Sequence, residues 1–322
     1  METGSNQHRE ASIALCKNLF IALTYKCNAY CAKCMTRNHI HTGAEMDERT
    51  LDSIIDYLQT KDYRGLVSVG TGEPLLYPRL SSFIDQLFTI NDDIHLRLLT
   101  NGMAMTATLP KSVFSSRSTI GVTFDAFNQR TLEGIQRGVD LDIVKQNVKD
   151  VVRLHGGDFI YLNYTLYKRN LGELLPFCQF AVENGIRKVY VTEIKIYEGY
   201  ENELGEERPQ HDSRFFDTIS EAKQLLKRHE ISTHGICREN FVQHVGCFRN
   251  GTAAPVIDVD GAVSLCSGRE DVHIGNICDS NIDEKYERFV AHIHDDNKWC
   301  RLCHDHVLPN GNYRLPSTII KR

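Results

Sequence analysis

The sequence predicts an α/β fold built on a parallel sheet, and two observations support this prediction. Short apolar runs typical of strands alternate with amphipathic helical runs from about residue 18 to residue 196. Strands joined through helices pair in parallel with right-handed crossovers. The chain of 322 residues is also longer than a single core usually supports, so two domains are expected.

Each element has its own signal in the sequence. Strands are expected near residues 18–24, 65–69, 94–99, 119–124, 158–166 and 188–196. Helices are expected at about 47–60, 78–89, 106–115, 140–155 and 172–184. A helix at about 213–229 and a strand-like run from Ile231 to Ile236 follow. The apolar alternation from Pro255 to Cys266 is interrupted by Asp260-Gly261, which predicts a β-hairpin.

Composition excludes several classes of protein. Hydrophobic residues make up 41% and charged residues 25%, which is typical of globular proteins and not of disordered, collagen-like or coiled-coil chains. The net charge of -5 provides no global basic field for nucleic acid or an anionic membrane. No apolar run reaches the roughly 18 residues of a membrane span, and Met1 to Glu10 is too polar for a signal peptide. A cytoplasmic location is therefore expected.

The 11 cysteines are too many to be explained by packing alone in a reducing compartment. Cys27, Cys31 and Cys34 form a C-x3-C-x2-C directly after the first strand. Three thiolates on one loop can hold three irons of a 4Fe-4S cube and leave the fourth iron open. A zinc loop or three unrelated buried thiols are the alternatives.

This triplet resembles the signature of the radical S-adenosylmethionine (SAM) superfamily, and three further motifs follow in the family's order. Thr71-Gly72-Glu73-Pro74 is similar to the family's Gly-Gly-Glu-Pro, Leu99-Thr100-Asn101-Gly102 follows the third strand, and Val122-Thr123-Phe124-Asp125 resembles Ser-x-Asp. Thr71 departs from the family's first glycine, and Lys33 stands where an aromatic residue often occurs. The resemblance implies that the Lys33 position meets adenine largely through its backbone, so its side chain is expected to matter little.

The resemblance implies a partial (β/α)6 barrel with its site at the carboxyl ends of the strands. The expected barrel covers residues 18–243 and a small C-terminal α+β domain covers residues 244–310, between tails at 1–17 and 311–322. This smaller domain resembles the cluster-binding twitch and SPASM domains of the superfamily.

Four late cysteines follow the pattern C-x18-C-x33-C-x2-C and can complete a tetrahedral site; they are Cys247, Cys266, Cys300 and Cys303. From spacing alone, structural zinc and an auxiliary 4Fe-4S cluster both remain open. The resemblance to twitch proteins favours one auxiliary cluster, since no cysteine follows Cys303 to complete another. Cys278 could replace one of the four ligands.

The remaining cysteines are assigned by position. Cys16, Cys178 and Cys278 are expected to be buried packing thiols. Cys237 ends the strand-like run near the expected barrel opening and is a candidate hydrogen-atom donor. The pairs His292-x-His294 and His304-Asp-His306 suggest a wet surface around the cluster rather than a second metal.

The resemblance also implies the cofactor pocket. SAM would chelate the open iron and, on one-electron reduction, split to methionine and a 5'-deoxyadenosyl radical that abstracts hydrogen from a C–H bond. The expected pocket residues are Thr71, Gly72, Glu73, Asn101, Thr123, Asp125, Asn163 and Tyr167. Among them, Glu73 is expected to accept hydrogen bonds from the methionine ammonium, and Thr123 and Asp125 to approach the ribose or the methionine carboxylate.

Two fates of the substrate radical remain open. Oxidation needs a base, for which Glu193 or Lys195 is the candidate, and the auxiliary cluster as electron acceptor; epimerisation needs a thiol, for which Cys237 is the candidate. Glu193 and Lys195 share one face of the sixth strand, which is either inward and catalytic or outward as a surface ion pair. The polar, acidic segment 197–212 is either a solvated connection or a cover for a cationic substrate.

The substrate class is inferred from the short N-terminal segment. About 17 residues precede the first strand, whereas peptide-modifying relatives often carry an N-terminal recognition domain. A small polar molecule such as an aminocyclitol or sugar is therefore favoured over a peptide, with a flavodoxin- or ferredoxin-type protein as electron donor. A non-catalytic zinc scaffold is the alternative of another class.

Metal content separates the enzyme from the scaffold. We expect anaerobically purified protein to be brown and to contain about eight irons per chain, because two 4Fe-4S clusters are predicted. Iron and sulfide assays, together with zinc analysis of the same sample, provide the measurement. A colourless protein loaded with zinc would reject the enzyme.

Overall fold

The computed structural model has the α/β architecture that the sequence predicts, with a parallel sheet whose strands are joined by helices. It describes residues 12–34, 36, 42–105, 109–194, 205–209, 212–234, 254–265 and 273–295.

Seven parallel strands form the main sheet and pair in the order in which the chain produces them. They are β1 (Asn18–Ala22), β3 (Leu66–Gly70), β4 (His95–Thr100), β5 (Ser118–Thr123), β7 (Ile160–Leu166), β8 (Lys188–Glu193) and β9 (Ser232–His234). The short strands β2 (Tyr30–Cys31) and β6 (Gln136–Arg137) form a separate antiparallel pair. The predicted parallel strands are confirmed to within a residue or two where the structure describes them.

Helices lie between most of the described parallel strands, and one helix follows the C-terminal strands. They are α1 (Glu48–Thr60), α2 (Leu80–Ile90), α3 (Gln129–Ile135), α4 (Leu141–His155), α5 (Leu174–Glu183), α6 (Phe215–Arg228) and α7 (Ile282–Asp295). The helix predicted at 106–115 is wrong in its described part, which is a 3-10 turn at Lys111–Phe114 preceded by extended Pro110. Proline disfavours helical geometry at the residue before it, so a helix cannot run smoothly through this position. No helix in the described ranges is long and apolar enough to span a membrane.

The two faces of the sheet differ in chemistry. Leu19 and Ile21 of β1 pair with Val67 and Val69 of β3, and these fully buried side chains belong to the core that the helices cover. Because side chains alternate along a strand, the residues between them form the opposite face. That face is largely polar and includes Ser68, Arg97, Thr123, Asn163, Thr165 and Thr192.

The predicted C-terminal hairpin is confirmed, and it extends the main sheet. Its strands are β10 (Val256–Ile257) and β11 (Ala262–Ser264), which pair antiparallel around a turn where Gly261 has a φ of 82°. A third strand, β12 (His273–Asn276), pairs with β11. β10 pairs in parallel with β1, which the sequence did not predict. The C-terminal part of the chain is therefore hydrogen bonded to the strand that precedes the cysteine loop.

Asp283 at the start of α7 also connects this C-terminal part to the rest of the protein. Its carboxylate accepts hydrogen bonds from Ser12 at 2.8 Å and from Tyr57 of α1 at 2.5 Å, and it forms an ion pair of 2.7 Å with Lys61. Burial acts to raise the pKa of Asp283, but the bonds from Lys61, Tyr57 and Ser12 hold it below its usual value. The ionised carboxylate therefore stabilises the contact between α1 and α7.

We expect Asp283→Asn to lower the free energy of unfolding at pH 7 by about 1–3 kcal/mol, because several donors lose a charged acceptor. The folded pKa lies below the unfolded one, so this contribution is complete above about pH 4 and is lost as pH falls through the folded pKa. Urea unfolding at neutral and acidic pH measures both effects. Glu284→Gln on the same helix is the control, since its ion pair with Arg288 is exposed and should change stability by less than about 0.5 kcal/mol. Equal losses for the two variants would contradict the assignment.

Candidate active site

The three cysteines of the triplet lie on the loop that follows β1, at the carboxyl end of the sheet. Cys31 lies on β2, where its backbone pairs with Gln136 of β6. The Cys34 backbone N–H donates to the Cys31 carbonyl at 3.1 Å, and the Cys27 thiol accepts a hydrogen bond from Ala29 N at 3.4 Å. All three side chains are half-buried. The loop thus has a defined backbone conformation around the thiols.

The thiols share one electrostatic environment. Burial raises the pKa of Cys27 to about 11 and that of Cys31 to about 12, and Cys34 adds to both shifts. Iron ligation requires thiolates, so cluster binding would release their protons. In the described ranges, no three His, Cys, Asp or Glu side chains converge on a single metal ion. Three coupled thiol donors on one loop fit a 4Fe-4S cluster.

The Thr71–Pro74 turn packs directly on this loop. Glu73 N donates to the Lys26 carbonyl at 2.7 Å. Gly72 has a φ of 59°, and a Cβ there would collide with the Thr24 carbonyl and lie 2.7 Å from that of Lys26. Glycine at 72 is therefore required by the close approach of two backbones. Thr71, at the position of the family's first glycine, adopts the left-handed φ of 69° despite its branched side chain.

The Glu73 side chain is enclosed between the ends of β3 and β4. It is fully buried, and its carboxylate accepts hydrogen bonds from Leu75 N at 3.2 Å, Thr100 Oγ1 at 2.8 Å and Asn101 N at 2.8 Å. Burial raises the pKa of this carboxyl, and the three donors offset only part of that increase. The carboxyl group therefore holds the turn, and its contact with the methionine ammonium stays a prediction.

Asn101 connects the end of β4 to the cysteine loop. Its side-chain N–H donates to Asn28 Oδ1 at 2.7 Å, and its Oδ1 accepts from Met103 N at 3.0 Å. Asn28 directly follows Cys27, and a hydrogen bond from Asn101 acts to lower the pKa of the Cys27 thiol. The predicted site residue Asn101 therefore lies next to the first cysteine.

Three other predicted residues lie near the carboxyl ends of β5 and β7. Asn163 donates to Thr123 Oγ1 at 3.3 Å, and both side chains are half-buried on the polar face. Tyr167 packs with Ile135 and Ile194 against Ala32 of the cysteine loop. Its buried hydroxyl has no hydrogen-bond partner among the described residues. A buried hydroxyl without a partner indicates that a further polar group belongs beside it.

The described part of the acidic segment lies beside Tyr167. Lys168 N donates to the Glu207 carbonyl at 2.8 Å, and Arg169 forms an ion pair of 2.6 Å with the Glu207 carboxylate. Residues 205–209 therefore contact the chain just after β7, while residues 197–204 lie outside the described ranges.

Asp125 and Lys33 form a pair that the sequence did not predict. Asp125 is fully buried, and its carboxylate forms an ion pair of 2.5 Å with Lys33, which lies between Cys31 and Cys34. It also accepts from Thr165 N at 2.6 Å. These partners tie the Asp125 carboxylate to the cysteine loop, and its approach to the ribose or the methionine carboxylate stays a prediction. The Lys33 side chain, expected to matter little, reaches into the protein.

Of the predicted catalytic residues, Glu193 lies within the described ranges. Glu193 pairs with buried Leu166 and alternates with Thr192, which places it on the face of Val189 and Val191 that the helices cover. Register thus favours the outward alternative for this side chain. Lys195 and Cys237 lie outside the described residues, as do the four proposed auxiliary ligands Cys247, Cys266, Cys300 and Cys303.

Of the three cysteines expected to be packing thiols, two are at least partly buried. Cys178 is fully buried in the core, and the Cys16 thiol lies 3.2 Å from the Tyr286 hydroxyl. The expectation is wrong for Cys278, whose side chain is exposed because it lies in the turn between β12 and α7.

Comparison with known proteins agrees with the geometry. A family model described as the Radical SAM superfamily matches residues 21–181, which is half of the chain and extends from the end of β1 through β7. The chain belongs to the radical SAM superfamily.

Curated relatives share low sequence identity with this chain but align with much of its length. GTP 3',8-cyclase from Aliarcobacter butzleri is 24% identical over 323 residues, which covers 92% of this chain and 95% of the relative. An S-adenosylmethionine-dependent nucleotide dehydratase from Selenomonas ruminantium is 22% identical over 226 residues, which covers 68% of this chain and 77% of the relative.

Solved structures show the same fold. Streptococcus suis SuiB bound to S-adenosylmethionine superposes with a TM-score of 0.67 at 17% identity, covering 91% of this chain and 71% of SuiB. The anSMEcpe structure with AdoMet and the Cp18Cys peptide has a TM-score of 0.67 at 17% identity, covering 89% of this chain and 87% of anSMEcpe. At these identities the likeness establishes the fold alone.

We expect Glu73→Gln to lower the free energy of unfolding by about 2 kcal/mol in protein without SAM, because the new amide places N–H groups against a buried donor. Denaturant unfolding measures this loss. Glu48→Gln, at an exposed ion pair with Arg79, is the control and should stay within about 0.5 kcal/mol of wild type. A stability loss that occurs only when SAM is present would instead support a contact between Glu73 and the cofactor.

Proposed function

We propose that this radical SAM protein abstracts a hydrogen atom from a C–H bond of a small polar molecule, with oxidation or epimerisation as the outcome. The observation that carries the proposal is the packing of the Thr71–Pro74 turn and Asn101 on the loop of Cys27, Cys31 and Cys34. These elements meet at the carboxyl ends of a parallel sheet, where α/β proteins bind ligands.

The chain's own residues would hold the cofactors as follows. Cys27, Cys31 and Cys34 would hold three irons of a 4Fe-4S cluster, whose chemistry when bound would be one-electron transfer to SAM. Thr123 and Asn163 offer hydrogen-bonding groups to the ribose or the methionine carboxylate, and the Tyr167 hydroxyl is available for a further polar group. Glu73 and Asn101 hold the surrounding turns in place without contacting the reacting atoms.

The later cysteines remain part of the proposal. Cys247, Cys266, Cys300 and Cys303 would bind one auxiliary cluster, with Cys278 as a possible substitute ligand, and Cys237 would donate hydrogen if the product is an epimer. If the product is a ketone, a base is needed, for which Lys195 stays a candidate outside the described residues; the register of β8 places Glu193 on the outer face. A flavodoxin- or ferredoxin-type protein would supply the electron.

A small molecule is proposed over a peptide because the curated relatives are named for nucleotides. Nucleotides are small polar molecules. The GTP 3',8-cyclase from Aliarcobacter butzleri aligns with this chain along almost its whole length. Nucleotides therefore join aminocyclitols and sugars in the set of substrates to be tested.

We expect reconstituted protein to form 5'-deoxyadenosine when it receives SAM and a reductant, and to form more when a small polar substrate is added. Chromatography of quenched reactions with nucleotides, aminocyclitols, sugars and peptides measures this stimulation. Cys27→Ala should reduce 5'-deoxyadenosine to the level seen without reductant, because one iron ligand is lost. Stimulation by a peptide alone would overturn the small-molecule assignment.

The same reactions in deuterium oxide separate the two chemistries. Solvent deuterium fixed at carbon supports epimerisation, whereas a ketone without deuterium supports oxidation. Cys237→Ala is the matched variant: unimpaired turnover would remove the thiol donor from the proposal, and loss of deuterium incorporation would support it.

A further inference from the structure

Lys33 is separated by one residue from Cys31 and directly precedes Cys34, but its side chain leaves the cysteine loop. The Lys33 ammonium forms an ion pair of 2.5 Å with Asp125 Oδ2 and also donates to Thr165 Oγ1. Only 24% of the Lys33 side chain is exposed, and Asp125 is fully buried. The cation is therefore fixed inside the protein, on a side chain whose backbone lies between two of the proposed iron ligands.

Asp125 cannot easily release this cation, because its own position is set by other bonds. Its Oδ1 accepts from Thr165 N at 2.6 Å, its N–H donates to Gln136 Oε1 at 2.7 Å, and its carbonyl accepts from Asn170 Nδ2 at 2.6 Å. Breaking a buried ion pair by removing one partner leaves an uncompensated charge. The pair of Lys33 and Asp125 thus behaves as a fixed dipole.

Gln136 connects this ion pair to the nearest thiol. Its Oε1 accepts from the Asp125 N–H at 2.7 Å, and its side-chain N–H is directed to Cys31 Sγ at 3.8 Å. The ion pair is therefore linked to a proposed iron ligand through a single intervening side chain.

A second lysine on the loop provides a contrast. Lys26 directly precedes Cys27 and forms an ion pair of 2.8 Å with Glu45, but half of its side chain is exposed. Water and salt screen such a pair, whereas a buried charge acts through a lower dielectric. Of these two lysines on the cysteine loop, Lys33 is the one placed to act on a cluster.

We propose that Lys33 is a positioning residue that raises the reduction potential of the cluster bound by Cys27, Cys31 and Cys34, with Asp125 holding its ammonium in place. The inference rests on the proposed function, since it assumes that this cluster forms. Reduction adds one negative charge, which a fixed neighbouring cation stabilises, and net local charge is one of the factors that set iron–sulfur potentials.

The test is a redox titration of reconstituted protein, followed by electron paramagnetic resonance of the cluster signal that SAM perturbs. We expect Lys33→Met to lower the midpoint potential by about 59 mV, a tenfold change in a one-electron equilibrium. Lys33→Arg should restore most of this shift because the charge is kept. Lys26→Met is the matched control and should leave the potential unchanged.

Asp125→Asn distinguishes charge from structural damage. It removes the anion and leaves the lysine, so it should raise the potential, opposite to Lys33→Met, whereas general disruption of the loop would shift both variants in one direction. If Lys33→Met does not fold, Lys33→Gln is the second variant, because it removes the charge but keeps a side-chain N–H for Asp125, and it should lower the potential in the same direction.

The outcomes separate this inference from the function on which it rests. Wild-type protein without iron or a SAM-perturbed signal would overturn the proposed function. Wild-type protein with that signal, but with the same potential in Lys33→Met, or with an equal shift in Lys26→Met, would overturn the role of Lys33 alone.

Discussion

The buried carboxylate of Glu73 joins the carboxyl ends of β3 and β4, and the rest of the site depends on this contact. A carboxyl group without access to water is tolerated only where hydrogen-bonding partners surround it. Here two backbone N–H groups and one hydroxyl do so. The turn is thereby held rigidly enough for Gly72 to lie against the backbone of the cysteine loop, where no side chain would fit.

Two ion pairs near the cysteines differ in their exposure to solvent. Lys26 and Glu45 pair near the surface, while Lys33 and Asp125 pair inside the protein. The difference in dielectric gives the inner pair the greater electrostatic effect for the same formal charges. An aspartate that the family resemblance assigns to the cofactor is thus tied to the loop, and Thr123, Asn163 and Tyr167 provide the remaining polar groups.

The C-terminal part is joined to the same strand that precedes the cysteines. β10 adds to the edge of β1, and the Tyr25 hydroxyl, two residues before Cys27, bonds to Asp258 at 2.5 Å just after β10. Backbone pairing and a charge-assisted hydrogen bond together hold the hairpin to this edge. The described C-terminal hairpin is therefore held directly against β1 and the start of the cysteine loop.

The sequence alone determined the features that depend on residues close together in the chain. The order of strands and helices follows from apolar periodicity, the hairpin from Asp260-Gly261, and the cysteine loop from three closely spaced thiols after a strand. Helix α3 (Gln129–Ile135) was not among the predicted helices, because it is short. Its main signal in the sequence is Asn128, whose side chain accepts a hydrogen bond from Arg130 N at the helix start.

Only the tertiary structure decided what depends on register and burial. Glu193 lies outward because β8 pairs with β7 in a particular register, which the spacing of Glu193 and Lys195 cannot specify. The partners of Glu73 and Lys33 lie 27 and more than 90 residues away along the chain, and no local pattern encodes such contacts. The sequence therefore identified which residues surround the site, whereas folding determined which of them face a ligand and which hold the others in place.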